Sequence, residues 1–181
     1  MYSVTLQLNA KLQPVHRGDI FEDPLDDFLQ ENNLGEVSGG GTMLSKDKEI
    51  EYCDIEINMP DISEASINRV IAELERLGAP KGSLLHVDDK KIAVGKAEGL
   101  GVYLNGTDLP TEVYENSDVN VVYGELEKRI EGIGRILSYW DGPSETALYL
   151  YGDSFTAMQE KIADFLASYP LCQQCRVVQI A

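Results

Sequence analysis

Apolar and polar positions alternate at the start of the chain. Val4, Leu6 and Leu8 are separated by polar neighbours, the period of a half-buried strand. Pro24 behind Asp23, with Asp26 and Asp27 following, predicts a helix start. Phe21, Leu25, Phe28 and Leu29 supply that helix with an apolar stripe, and Asn32-Asn33 ends it. Residues 36–45 and 50–58 read as two strands joined by the polar turn Ser45-Lys46-Asp47-Lys48. Asp61 and Glu64 have the spacing of a capping box. Ile67, Val70, Ile71, Leu74 and Leu77 then mark an amphipathic helix that Gly78 stops. A short apolar strand over 84–87 follows, with His86 at a surface or edge position, and 90–99 reads as a connection punctuated by Gly95 and Gly99.

The same order then recurs. Leu8-Asn9 with Pro14 matches Leu104-Asn105 with Pro110, and Leu34-Gly35 matches Ile133-Gly134. The alternating Ile55, Ile57 and Asp61 match Leu148, Leu150 and Asp153. Both halves close on a short apolar strand, 84–87 and 177–180. In the second half, strands are expected at 100–105, 134–140 and 145–151. Val119, Val122, Tyr123, Leu126, Ile130 and Ile133 stripe one helix; Phe155, Met158, Ile162, Phe165, Leu166 and Tyr169 stripe the other. Asn9 and Asn105, at matching strand ends, are expected to cap turns through their own backbone.

This strand–helix–strand–strand–helix–strand order, met twice, resembles the ferredoxin-like split βαβ sandwich. The resemblance implies an α+β protein of two βαββαβ repeats, 1–95 and 96–181. Each would form an antiparallel sheet ordered 4-1-3-2 with its helices packed on one face. Leu148 and Leu150 alternate with Tyr149 and Tyr151, so that strand carries large side chains on both faces. Two sheets, or a sheet and a partner, meeting there would account for this.

Charge changes the picture most. The 181 residues hold 15 Lys+Arg against 31 Asp+Glu, a net −16. That balance argues against nucleic acid, whose phosphates would be repelled, and against an anionic membrane surface. No stretch approaches the ~20 apolar residues of a membrane helix, and the N-terminus lacks a secretion signal, so a cytoplasmic protein is expected. The acidic residues Asp19, Glu22, Asp23, Asp26, Asp27 and Glu31 crowd together, and Glu49, Glu51, Asp54 and Glu56 form a second run. Neither has the spacing of a calcium loop. A solvated face is one account; a face that recognises a basic protein is the other, since opposite charge speeds encounter. In size and charge the chain is similar to small acidic inhibitors of toxic nucleases, which cover a basic groove.

Candidate chemistry is sparse. Cys172-Gln173-Gln174-Cys175 has CxxC spacing but follows a helix and precedes a strand, the wrong context for a redox motif, and Cys53, His16 and His86 add no ligand pair. No metal or cofactor is therefore expected. His16, read as a loop residue, with Asp19, Glu22 or Asp23 could form a base and its orienting carboxylate, but no nucleophile motif lies nearby. The halves differ most where Ser38-Gly39-Gly40-Gly41 matches Leu137-Ser138-Tyr139-Trp140. A groove with Gly39, Gly40 and Gly41 as floor and Tyr139 and Trp140 as wall would bind a ligand at the seam between the repeats. A bulge, with Trp140 in the core, is the plainer reading. The leading expectation is a non-enzymatic acidic binding protein, monomer or homodimer, of inhibitor or immunity type. A small-molecule sensor and an enzyme using His16 are the alternatives.

Overall fold

The computed structural model describes all 181 residues. The chain divides into two compact units. One comprises Met1–Lys46, Ile50–Ala97 and Ala181; the other comprises Asp47–Glu49 and Glu98–Ile180.

In the first unit β1 (Tyr2–Leu8) leads into a helical region with three parts: α1 (Pro14–Arg17), a π-helical turn (Gly18–Glu22) and α2 (Asp23–Glu31). Then come β2 (Glu36–Leu44), β3 (Ile50–Met59), α3 (Glu64–Arg76), β4 (Ser83–Val87) and β5 (Lys90–Val94). The sheet order is β2-β3-β1-β4-β5, all antiparallel. The first four strands give the ferredoxin-like order; β5 is an addition. It occupies the stretch expected to be a connection, because Asp88, in the left-handed region at φ 49°, and Asp89 turn the chain straight back on β4. His86 is therefore an interior strand residue, not an edge one.

The alternation of β1 carries directly into packing. Val4, Leu6 and Leu8 pair with Ile57, Ile55 and Cys53, and all six are fully buried, as are Phe21, Leu25, Leu29, Val70 and Leu74 of the helical elements. The N-cap of α3 is Ser63, whose hydroxyl accepts from Ser66 N–H, not Asp61. Asp61 stands two residues outside and accepts from the Ser63 and Ser66 hydroxyls, which hold its carboxyl below the usual range.

The second unit runs β6 (Glu98–Asn105), α4 (Thr111–Asn116), α5 (Val119–Arg129), β7 (Gly134–Asp141), β8 (Glu145–Gly152), α6 (Phe155–Ser168) and β9 (Arg176–Gln179). Its sheet order, β7-β8-β6-β9, is the same arrangement without a fifth strand. Leu100, Val102, Leu104, Leu148 and Leu150 face Val122, Leu126, Met158 and Ile162 in one core. Asn105 caps its turn as expected, accepting from Thr107 and Asp108 N–H. Asn9 does not: its side chain donates to Lys81 O and its N–H to Ser83 Oγ, tying β1 to the start of β4. No helix is long and apolar enough to cross a membrane.

Each unit carries a β-bulge at the same place. In β2 the register shifts between Val37 and Gly39, leaving Ser38 extra; in β7 it shifts between Ile136 and Ser138, leaving Leu137 extra. The four residues at each bulge are thus equivalent in pairs, Ser38 with Leu137 through Gly41 with Trp140. Each bulge frees a backbone N–H, and the preceding helix supplies a carboxylate to it. Asp26 accepts from Val37 at 2.8 Å, and Glu127 accepts from Ile136 at 3.5 Å.

Candidate functional site

The corner of the first unit between its first helical region and β2 is built around Arg17. Pro24 has no N–H and its ring crowds the preceding turn. The chain answers with a π-turn, in which Asp23 N–H reaches back five residues to Gly18 O. The wider turn brings residues five apart together, and Arg17 Nε donates to Glu22 Oε1 at 2.8 Å. The buried guanidinium also donates to Gly41 O at 3.0 Å and Thr42 Oγ1 at 2.6 Å.

Gly40 makes this possible. A Cβ there would overlap the Glu22 carboxylate and press on Arg17 Nε and Asp54 O. Gly39 abuts the Glu56 carboxylate, whereas Gly41 has open space where a side chain would be. The glycine run thus reflects a bulge plus the close approach of an ion pair. Gly39 and Gly40 line a cavity of about 250 Å³ with Arg17, Glu22, Asp23, Asp26 and Val37. The Cys53 thiol lies close to this corner. Burial pushes its pKa up, against the opposing pull of a backbone hydrogen bond at Leu12 and of the Arg17 charge.

The six acidic residues singled out by sequence separate into two sets. Asp19, Asp23, Asp27 and Glu31 are exposed, recur every fourth position, and no cation pairs with them. Glu22 and Asp26 turn inward, to Arg17 and to the Val37 N–H. His16 lies half-buried in α1, not in a loop. The second acidic run also divides. Glu51 and Glu56 are exposed, while Glu49 accepts from the hydroxyls of Tyr103 and Tyr149 at 2.6 and 2.9 Å. Burial first, and the Glu49 bond second, raise both phenols. Arg176 stacks 4.4 Å over Tyr103 and forms a two-pronged pair with Glu145, holding that carboxyl below its usual range.

Tyr139 and Trp140 do not form one wall. Adjacent on β7, they point to opposite faces of their sheet, because Tyr139 pairs with core-facing Leu148 and Trp140 with Ala147. Trp140 is 9% exposed, and its ring fills the place where Gly142 would carry a Cβ. Tyr139 lines a groove of about 440 Å³ with Val119, Tyr123, Leu148, Asn120, Asp141 and Thr146. Sequence periodicity assigns Val119 and Tyr123 to the buried stripe of their helix, yet they are 38% and 40% exposed, and Tyr139 is 48% exposed. Burial, then a hydrogen bond to Glu127, raises the Tyr123 phenol.

The cysteines are thiols in apolar surroundings. Cys172 belongs to the second core, and burial, then Cys175, pushes it up to about 12; Cys175 is raised by burial too. His86 presents a buried Nε2 that has no hydrogen-bond partner.

No protein family and no curated protein matches the chain. Among solved structures, the first two RRM domains of the yeast poly(U) binding protein align over 99% of both chains at 16% identity, with a TM-score of 0.28. A Fusobacterium nucleatum protein described as a candidate monooxygenase aligns over 98% of this chain and 89% of its own at 9% identity, with a TM-score of 0.34. Neither likeness bears on function at those scores.

Proposed function

We propose that this is a non-enzymatic binding protein that engages a basic protein partner in the cytoplasm, with an inhibitor of a nucleic-acid-binding enzyme as its concrete form. The observation that carries the reading is the exposed row Asp19, Asp23, Asp27 and Glu31, uncompensated by any cation, on a chain of net −16. Two neighbouring carboxylates are engaged inside the fold, so the row is not a mere overflow of acidic composition. A field of this sign accelerates encounter with a basic surface and repels nucleic acid.

The test uses a quadruple variant, D19N/D23N/D27N/E31Q, whose changes fall on exposed positions. A basic partner held by the unaltered chain at ~10 mM salt should be released at ~500 mM, where the screening length drops from about 30 Å to about 4 Å. The variant should fail to hold it at either salt. Equal retention at both salts, or by the variant, refutes recognition through this row.

A further inference from the structure

The groove of the second unit has the make-up of an anchor site, not of a closed ligand pocket. Its walls, Val119, Tyr123 and Tyr139, are each more than a third exposed, so a small molecule would remain largely wet there. A side chain delivered by a protein surface meets no such limit, and central aromatic contacts ringed by polar groups are where binding energy concentrates. Leu148 forms part of the lining, so the groove reaches the edge of the core.

Charge selects the occupant. The groove is lined by one charged group, Asp141, and by no cation. Asp141 receives only the Thr146 hydroxyl, at 3.3 Å, and Asp118, one residue before Val119, receives only the N–H groups of Asn120. Neither carboxylate is paired with a lysine or arginine. A second copy of the chain, also carrying −16, would be repelled. We infer that this groove takes an aromatic side chain flanked by lysine or arginine on the partner protein. The inference rests on the basic-partner reading above and adds the site that converts encounter into residence.

The probe is the blocked peptide Lys-Lys-Phe-Lys-Lys, titrated into the full chain with backbone amide shifts as the readout. Lys-Lys-Ala-Lys-Lys and Glu-Glu-Phe-Glu-Glu are run beside it. The phenylalanine peptide should shift the amides of 119–123 and 139–141. It should bind at least ~10-fold more tightly than either control, the factor that ~1.4 kcal/mol represents. Tyr139→Ala and, independently, Tyr123→Ala should each cost about that factor, while Asp141→Asn should cost less. Unfolding curves matched to the unaltered chain establish that each variant folds, and the loss at either tyrosine suffices. If both lysine peptides bind alike and shift only 19–31, the groove assignment falls and the charge reading stands. If neither lysine peptide binds, both fall. If the glutamate peptide binds as well as its lysine counterpart, charge does not select the occupant and the inference is overturned.

Discussion

The same corner of the fold, where the first helix passes over the second strand, is lined by an ion pair in one unit and by apolar and aromatic side chains in the other. In the first, Gly40 is bare so that Arg17 and Glu22 can lie against the strand, and the guanidinium satisfies three acceptors at once. In the second, Tyr139 stands at the equivalent position, and a groove runs along α5. The bulges and their carboxylate caps are shared. The divergence therefore lies in one side chain on the strand and one cation on the helix. A duplicated scaffold holds two copies of a backbone device; one copy seats an ion pair against the strand, and the other keeps apolar surface accessible. Closing a corner with a buried pair confers little net stability but makes it intolerant of change.

That intolerance sets the largest expected effect. Gly40→Tyr installs the second unit's residue in the first. The new side chain has to displace Glu22 and Arg17 and leave a buried charge without its partner. Overpacking and a broken buried pair each cost several kcal/mol, so a loss of about 3–5 kcal/mol is expected in urea unfolding. A loss below about 1 kcal/mol would mean that the pair moves aside freely and does not depend on a bare Gly40. Arg17→Met comes next. It strands the Glu22 carboxylate and removes a donor from Gly41 O and Thr42 Oγ1, for about 2–4 kcal/mol. The double variant R17M/E22L should recover part of this, because it removes both charges together. No recovery would assign the cost to lost packing instead.

The bulge caps give a smaller, graded effect. Asp26→Ala leaves the Val37 N–H without its 2.8 Å acceptor and should cost about 1–2 kcal/mol. Glu127→Ala gives up a 3.5 Å contact and should cost about half of that or less. Equal costs would show that the two bulges depend on their carboxylates to the same extent despite the difference in distance.

Much of this architecture can be read in the residue order. Period-two runs such as Val4–Leu6–Leu8 lead to the duplicated sandwich, and the glycines of Ser38–Gly41 signal the first bulge, whereas no glycine announces the matching bulge at Leu137. What escapes is non-local. Nothing near Arg17 in sequence announces that Gly41 O and Thr42 Oγ1 will receive it, although three adjacent glycines in a strand do signal a close approach. Asp26 looks like its neighbours Asp23 and Asp27 until the bulge supplies an N–H for it alone. Val119 and Tyr123 keep helical phase with Val122 and Leu126, but burial depends on what faces them, and the strand beyond them offers Tyr139 beside an open groove. The strand β5 is hidden because two of its five residues are lysines and only Ile92 and Val94 carry bulk.

The two units also differ in how their buried thiols meet alkali. Cys53 is raised by burial but sits where a backbone hydrogen bond at Leu12 and the Arg17 charge oppose the shift, whereas Cys172 has neither among its influences and stands at about 12 against an ordinary 9. A thiol whose folded pKa exceeds its unfolded one stabilises fully below pH 9. It loses that contribution as pH climbs from 9 toward 12, because the unfolded chain releases the proton first. From Cys172 alone this amounts to about 0.8 kcal/mol at pH 9.5. Cys172→Ala should therefore destabilise the protein at neutral pH through its cavity, yet flatten the fall in stability between pH 8.5 and pH 10. Cys53→Ala should also leave a cavity but flatten that limb less, since the Leu12 backbone hydrogen bond and then the Arg17 charge oppose the rise that burial gives its thiol. Urea midpoints across that pH range, compared with the unaltered chain, separate slope from offset. A Cys172→Ala limb as steep as the original would mean that its thiol ionises as freely folded as unfolded. A Cys53→Ala limb flattened as much as that of Cys172→Ala would mean that neither the Leu12 backbone hydrogen bond nor the Arg17 charge holds back the rise that burial gives this thiol.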